Sequence, residues 1–130
     1  MDNVTDKEAP EDGPDPRLLL LLGSVFGTGP DATTELTVVV DGAVISGSVV
    51  SEHAWTRRQN DQVRIGSWAV AGVLDSWEPG ANAAATSGHV RYVHFLGPIL
   101  LSGGVRVPLQ ATRADVRRVA AWSIGRMPED

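Results

Sequence analysis

The alternating stretch at residues 35–53, ELTVVVDGAVISGSVVSEH, constrains the fold more than any other part of the chain. An Asp-Gly pair between two alternating segments predicts a two-residue type I′ hairpin, because that turn needs a positive φ at both positions. If Val40 faces Ala43, strand alternation brings one set of apolar side chains to a single, core-facing side. The next residue on that side, Gly47, predicts a bend where a side chain would block close packing. The apolar set is Leu36, Val38, Val40, Ala43 and Ile45.

Helical segments are predicted on both sides of this hairpin. The leucine-rich residues 17–27, RLLLLLGSVFG, predict a short helix packed by its leucines. After the hairpin, the chain predicts a helical insert at about 51–88. Its first part, residues 51–64, is polar, and its second part is apolar with a helical spacing. The residues that show this spacing are Val70, Val73, Leu74 and Trp77.

The part of the chain after the insert is mostly extended. Residues 89–96 predict a strand that ends at Gly97-Pro98, and two short extended pieces follow around Gly103-Gly104. Residues 112–127 leave two alternatives open. Thr112 with Asp115 has the pattern of a capping box, so local propensity favours a helix there. The alternation of Val119, Ala121 and Ser123 with Ala120, Trp122 and Ile124 instead favours a strand after a turn at Arg117-Arg118.

The distribution of charge divides the chain into an acidic N-terminal tail and a nearly neutral domain. Residues 1–16 contain six acids and one lysine, a net charge of −5, and they are rich in Pro and Asp, which predicts a disordered acidic tail. The remainder has ten arginines and ten acids and is close to neutral. We therefore expect a single small β-rich domain at 17–127. The absence of cysteine and the brevity of the apolar run at 18–22 lead us to expect a cytoplasmic protein with no membrane partner.

Residue types that carry catalysis or bind metals form no recognisable motif. Gly23, Gly27 and Gly29 have a spacing seen in nucleotide-binding loops, but the helix that such a loop must open does not follow. His89 and His94 are five residues apart and would lie on opposite faces of a strand, which excludes a shared metal there. His94 is expected to be a structural residue satisfied by hydrogen bonds. The sequence predicts no enzyme and no catalytic, cofactor or metal site.

Tryptophan supplies the one candidate interaction site. Three of the four tryptophans fall in the insert, more aromatic bulk than an insert needs unless it packs on something. For Trp68 and Trp77, packing in the core and contact with another protein are equally good interpretations. The predicted protein-interaction residues are Trp68, Val70, Val73, Leu74 and Trp77.

Two family resemblances rest on these motifs. The hairpin, with its Asp-Gly turn and central glycine, resembles the first motif of Sm-like proteins, whose fold is a strongly bent, barrel-like antiparallel sheet that builds rings. The chain is more similar to the gas vesicle accessory protein U family. That similarity rests on residues 40–47 (VDGAVISG), on the histidine-centred residues 92–96 (YVHFL), and on residues 119–125 (VAAWSIG). It covers roughly residues 17–127 and favours the strand alternative for 119–125.

The resemblance implies a mainly β domain with an N-terminal helix and a helical insert, and a role in gas vesicle assembly or clustering. Such a protein would associate with itself as a homo-oligomer and contact vesicle shell components. The alternative is an Sm-like ring that binds single-stranded RNA, for which Arg57-Arg58 and Arg117-Arg118 would supply phosphate contacts. A nearly neutral domain with an acidic tail disfavours nucleic acid as a partner.

Overall fold

The computed structural model describes residues 13–29, 31–76 and 90–128. Within these residues, six strands form one antiparallel sheet in the order β4-β3-β2-β1-β6, and β5 pairs with the first part of β3. The predicted β-rich domain with an N-terminal helix and helices after the hairpin is therefore confirmed. The elements are α1 (Pro16–Thr28), β1 (Thr34–Val40), β2 (Ala43–Val50), α2 (Glu52–Gly66), α3 (Trp68–Asp75), β3 (Tyr92–Ser102), β4 (Val105–Pro108), β5 (Thr112–Asp115), a 3-10 turn (Val116–Arg118) and β6 (Val119–Ile124).

The β1–β2 hairpin has the predicted turn and register. Asp41 and Gly42 have φ values of 51° and 85°, as the two central positions of a type I′ turn require. Val40 pairs with Ala43, and Leu36 pairs with Gly47. The central members of the core-facing side, Leu36, Val38 and Ile45, are buried as expected, whereas Val40 and Ala43 beside the turn are half-buried. The buried core consists of Leu18, Leu22, Leu36, Val38, Ile45, Val49, Val93, Phe95, Ala114 and Val116.

Gly47 of β2 lies close to Pro98 of β3. A Cβ atom on Gly47 would lie 2.9 Å from the Cα of Pro98, which confirms that a side chain is excluded there. The register between the two strands shifts at this position, and Gly97 adopts a φ of 61°. The predicted end of the strand at Gly97-Pro98 is wrong, because a bulge lets β3 continue through both residues to Ser102.

The strand alternative for the C-terminal region is confirmed. β6 pairs antiparallel with β1, with Trp122 opposite Val38. The helix alternative at Thr112 does not hold, because Thr112 and Asp115 are the first and last residues of β5. The Asp115 carboxylate does cap a turn, accepting the Arg117 N–H at 2.9 Å, but that turn is a single 3-10 turn.

Helix α1 covers the core through two fully buried leucines, Leu18 and Leu22. Asp15 caps it by accepting the Arg17 N–H at 2.8 Å, and its second oxygen accepts the indole N–H of Trp122 at 2.8 Å. The indole contact, followed by the backbone contact to Arg17, lowers the pKa of Asp15. Residues 13–16, which the charge pattern placed in the tail, thus include the beginning of α1 and its cap.

The second side of the hairpin carries a polar network under the C-terminal residues. Ser46 is buried, shares a 2.8 Å hydrogen bond with Thr37, and accepts the Met127 N–H at 2.6 Å. Glu35 accepts hydrogen bonds from Ser48 and from Arg126, each at 2.6 Å, and these contacts lower its pKa. Polar pairs and a covering segment therefore replace apolar packing on this side of the sheet.

Candidate functional site

Helix α2 is attached to the sheet mainly through Trp55. Ser51 begins the helix by accepting the Ala54 N–H at 3.2 Å. One turn into the helix, Trp55 is buried, and its indole N–H donates to the carbonyl of Thr112 at 3.2 Å. Two turns further, Gln62 accepts the Ala111 N–H at 3.3 Å. These contacts hold α2 against β3 and the residues that lead into β5.

His94 lies under this contact, on β3. Its ring is only 5% exposed and meets the Trp55 ring edge-on, with centroids 5.1 Å apart. Burial, and then the positive charge of Arg113, lower the pKa of His94 to about 4. The predicted position of His94 in a strand is confirmed, but the predicted satisfaction by hydrogen bonds is wrong for Nε2, which has no partner within the described residues. His53 lies on α2, and His89 is outside the described residues.

Helix α3 follows α2 after a single residue. Ser67 ends α2, donating its N–H to the Val63 carbonyl at 2.8 Å, and begins α3, accepting the Val70 N–H at 3.2 Å. Because α3 has only eight residues, one turn faces α2, and Ala71 is the residue that becomes buried. The rest of α3 has no large contact with the sheet.

Polar side chains fix the position of α3 on α2. Asp75, at the end of α3, forms an ion pair with Arg64 and accepts a 3.1 Å hydrogen bond from Asn60. Arg64 also contacts Asp61 at 2.8 Å, and its guanidinium carbon lies 5.6 Å from the centre of the Trp68 ring. We call Asp75, Arg64, Asp61 and Asn60 the polar clamp. The clamp uses polar groups between the helices and leaves apolar groups facing outward.

The outward-facing apolar residues form what we call the helical-pair surface, namely Ile65, Trp68, Val70 and Val73. Their side chains are 89%, 76%, 50% and 67% exposed, respectively. Three of them were predicted as interaction residues. Leu74 is half-buried, and Trp77 lies outside the described residues. Ile65 was not predicted because it lies before the helical spacing that starts at Val70, and the structure places it near the end of α2. Its place at the start of the apolar part of the insert was the available signal.

The basic doublet predicted at the C-terminal turn is neutralised by carboxylates. Arg117 contacts Asp115 at 3.0 Å, and Arg118 contacts Asp41 at 3.0 Å. Hydrogen bonds from the Arg117 side chain and backbone lower the pKa of Asp115 to about 2. The two arginines therefore already have anionic partners, which weakens their case as a phosphate-binding pair.

Two of the site patterns considered from the sequence can be compared with the described residues. Gly23 and Gly27 lie inside α1, so their spacing does not form a phosphate-binding loop. No group of three acidic or histidine side chains within residues 13–29, 31–76 and 90–128 could hold a metal ion. Over the same residues, no helix is both long and apolar enough to cross a membrane.

Fold and surface together define an antiparallel β domain that displays an apolar helical pair. No protein-family model matches the chain, and no curated protein or solved structure shows detectable similarity to it.

Proposed function

We propose that this protein is a non-enzymatic accessory protein of gas vesicle assembly or clustering. It acts by associating with itself and by contacting vesicle shell components. The observation that carries the proposal is the helical-pair surface, where four large apolar side chains are exposed on two helices joined by the polar clamp. Large exposed apolar patches on soluble proteins often mark sites of contact with other proteins.

The polar clamp supports a contact function for this surface. An ordinary amphipathic helix turns its charged residues outward and its apolar residues inward. In α3 the charged residue Asp75 contacts Arg64 of α2, while Val70 and Val73 face outward. Burial of one such side chain in a contact is worth about 1.5–3 kcal/mol. A contact that buries several of these side chains would therefore favour binding of the helical pair to an apolar partner.

We further propose that the domain is Sm-like. The features in favour are the short helix before β1, the Asp-Gly hairpin, the bend at Gly47 and the final strand pairing with the first. The two ends of the sheet order also favour self-association. Within the described residues, β4 and β6 each have a strand on one side only, and Val105 and Ile124 on them are exposed. Such edges accept a strand from another copy.

A flotation assay tests the vesicle contact, because gas vesicles rise on centrifugation and carry bound protein with them. The double variant Trp68→Gln, Val73→Gln removes most of the outward apolar area. We expect at least a tenfold loss of co-flotation, since each lost side chain contributes more than about 1.4 kcal/mol. Light scattering on the same samples measures self-association.

Leu20→Gln is the matched control. Leu20 is a 66% exposed leucine on α1, far in the sequence from the helical pair, so its replacement should leave flotation unchanged. A wild-type protein that neither floats with vesicles nor associates with itself would overturn the proposal. An equal loss for the control and the double variant would remove the helical-pair surface from it.

A further inference from the structure

Three arginines lie beside the junction of α2 and the sheet, and two of them contact aromatic rings. The guanidinium carbon of Arg113 lies 4.1 Å from the centre of the Tyr92 ring and 5.3 Å from that of Trp55. The corresponding carbon of Arg91 lies 5.8 Å from the Tyr92 ring. Arg58, one turn after Trp55 on α2, lines a shallow depression with Gln62 and Gln110. We call Arg58, Arg91 and Arg113 the arginine strip.

The members of the strip have no close counter-charge among the described residues, where no ion pair within 4 Å joins a carboxylate to any of the three. The charge of Arg91 still acts on Asp115 at longer range and contributes to the lowering of its pKa. Arg117, Arg118 and Arg126 instead contact carboxylates at 2.6 to 3.0 Å. Positive charge without a close carboxylate partner therefore lies beside the junction of α2 and the sheet. It raises the question of which anion the strip accepts.

The stacking geometry favours carboxylates over nucleic acid. A guanidinium lying over a ring keeps the N–H groups along its edge free for bidentate hydrogen bonds to a carboxylate. Single-stranded nucleic acid also needs open ring faces on which bases stack. Here Trp55 is buried and the Tyr92 ring is already covered by Arg113. The surface thus offers positive charge and hydrogen-bond donors, but no open aromatic ring on which a base could stack.

From this we infer that the arginine strip binds the acidic N-terminal residues 1–12 of the same chain. These residues contain Asp2, Asp6, Glu8, Glu11 and Asp12 against Lys7 alone, so their charge opposes that of the strip. Twelve residues extend to at most about 40 Å, whereas a 100-residue domain has a radius of gyration of about 13 Å. A short tether also gives a millimolar effective concentration, so the segment of the same chain outcompetes that of a second copy.

Zero-length carbodiimide cross-linking of the full chain tests this inference. The only lysine is Lys7, so Arg113→Lys introduces one new amine while retaining the positive charge over Tyr92. Peptide mass spectrometry should find that amine joined to acids of residues 1–12. The yield should fall severalfold in about 1 M NaCl, where the Debye length is only about 3 Å. In a mixture of ¹⁵N-labelled and unlabelled protein, the linked peptides should carry one isotope only.

Arg118→Lys is the matched control, since Arg118 is exposed but already paired with Asp41. Its amine should link to Asp41 and only weakly to residues 1–12. Equal linking of both variants to the acidic segment, or no linking of Arg113→Lys to it, would overturn the inference. Mixed-isotope products would also overturn it, by assigning the segment to a second copy. Poly-uridine RNA that abolishes the cross-link at submicromolar concentration would assign the strip to nucleic acid instead. None of these outcomes depends on gas vesicle binding.

Discussion

The β1–β2 hairpin and helix α3 use apolar residues in opposite ways. Both segments have apolar residues at the spacing of their secondary structure. In the hairpin, Leu36 and Val38 are fully buried under α1 and between neighbouring strands. In α3, Val70 and Val73 face outward, and only Ala71 is buried. A periodic apolar pattern therefore indicates the type of secondary structure, but it does not say which side of that structure is covered.

What separates the two segments is the number of elements available to cover them. β1 has β2 and β6 as neighbouring strands and α1 above its core-facing side. Helix α3 packs on α2, and the polar clamp occupies part of that contact. An apolar residue is buried only where another element supplies a surface for it. The same reasoning predicts that substitutions in the hairpin and on the helical-pair surface have very different effects on stability.

The largest expected difference is between Leu36→Ala and Ile65→Ala. Loss of a fully buried leucine side chain should lower the free energy of unfolding by about 2–5 kcal/mol. Loss of the exposed Ile65 side chain should change it by less than about 0.5 kcal/mol. Urea unfolding followed by circular dichroism measures both. A cost above about 1 kcal/mol for Ile65→Ala would mean that the helical-pair surface is covered in solution.

Acid should weaken the junction at which α2, unlike α3, meets the sheet. The folded protein keeps His94 neutral down to about pH 4, whereas the unfolded chain binds the proton near pH 6.5. The stability gained from neutral His94 is therefore complete above pH 6.5 and is lost as the pH falls toward 4. The shift corresponds to on the order of 3 kcal/mol.

Urea midpoints measured from pH 7 to pH 4 test this expectation. His94→Leu should flatten the decline over that interval, while His53→Leu should retain it because His94 is still present. The carboxylates Asp15, Glu35 and Asp115 have lowered pKa values, so their losses begin only as the pH falls to their ordinary pKa values of 3.8 to 4.5, at the lower end of the His94 interval, and continue below it. An unchanged slope in His94→Leu would show that another group causes the acid sensitivity.

Two glycine-to-alanine substitutions test the same contrast between the hairpin and α3. In Gly47→Ala the new methyl group would meet the Pro98 backbone at 2.9 Å, so unfolding should become easier by about 1–3 kcal/mol. In Gly72→Ala, on α3, the methyl group meets nothing within 4 Å, and a helical alanine should stabilise by about 0.5–1 kcal/mol. Thermal unfolding of both variants shows whether each substitution raises or lowers the stability. If both changed the stability in the same direction, the contrast between the hairpin and α3 would be contradicted.

Much of the fold follows from local residue patterns. The turn at Asp41-Gly42, the hairpin register and the helix rich in leucine all follow from turn chemistry and periodicity over fewer than twenty residues. The continuation of β3 past Pro98 did not follow, because it depends on Gly47 in another strand leaving room for a bulge. The strand at 119–125 required a family resemblance, since local propensity there favoured a helix.

The candidate site was less predictable for the same reason. Trp68, Val70 and Val73 were recognised from composition and spacing, but their outward orientation depends on the pairing of Asp75 with Arg64, eleven residues away. The arginine strip brings together Arg58, Arg91 and Arg113 from three parts of the chain. Nothing in the local sequence around any one of them indicates the other two.

The smallest expected effect on stability comes from opening the polar clamp with Asp75→Ala. Exposed ion pairs contribute about 1 kcal/mol or less, so the free energy of unfolding should change little. Amide hydrogen exchange in residues 68–75 should nevertheless become several times faster, because the clamp supplies the polar contacts that hold α3 on α2. Arg118→Ala, which removes a more exposed ion pair at the β1–β2 turn, should leave that exchange unchanged. Slow exchange in Asp75→Ala would mean that Ala71 packing alone positions α3, and the outward orientation of Val70 and Val73 would then need an explanation other than the clamp.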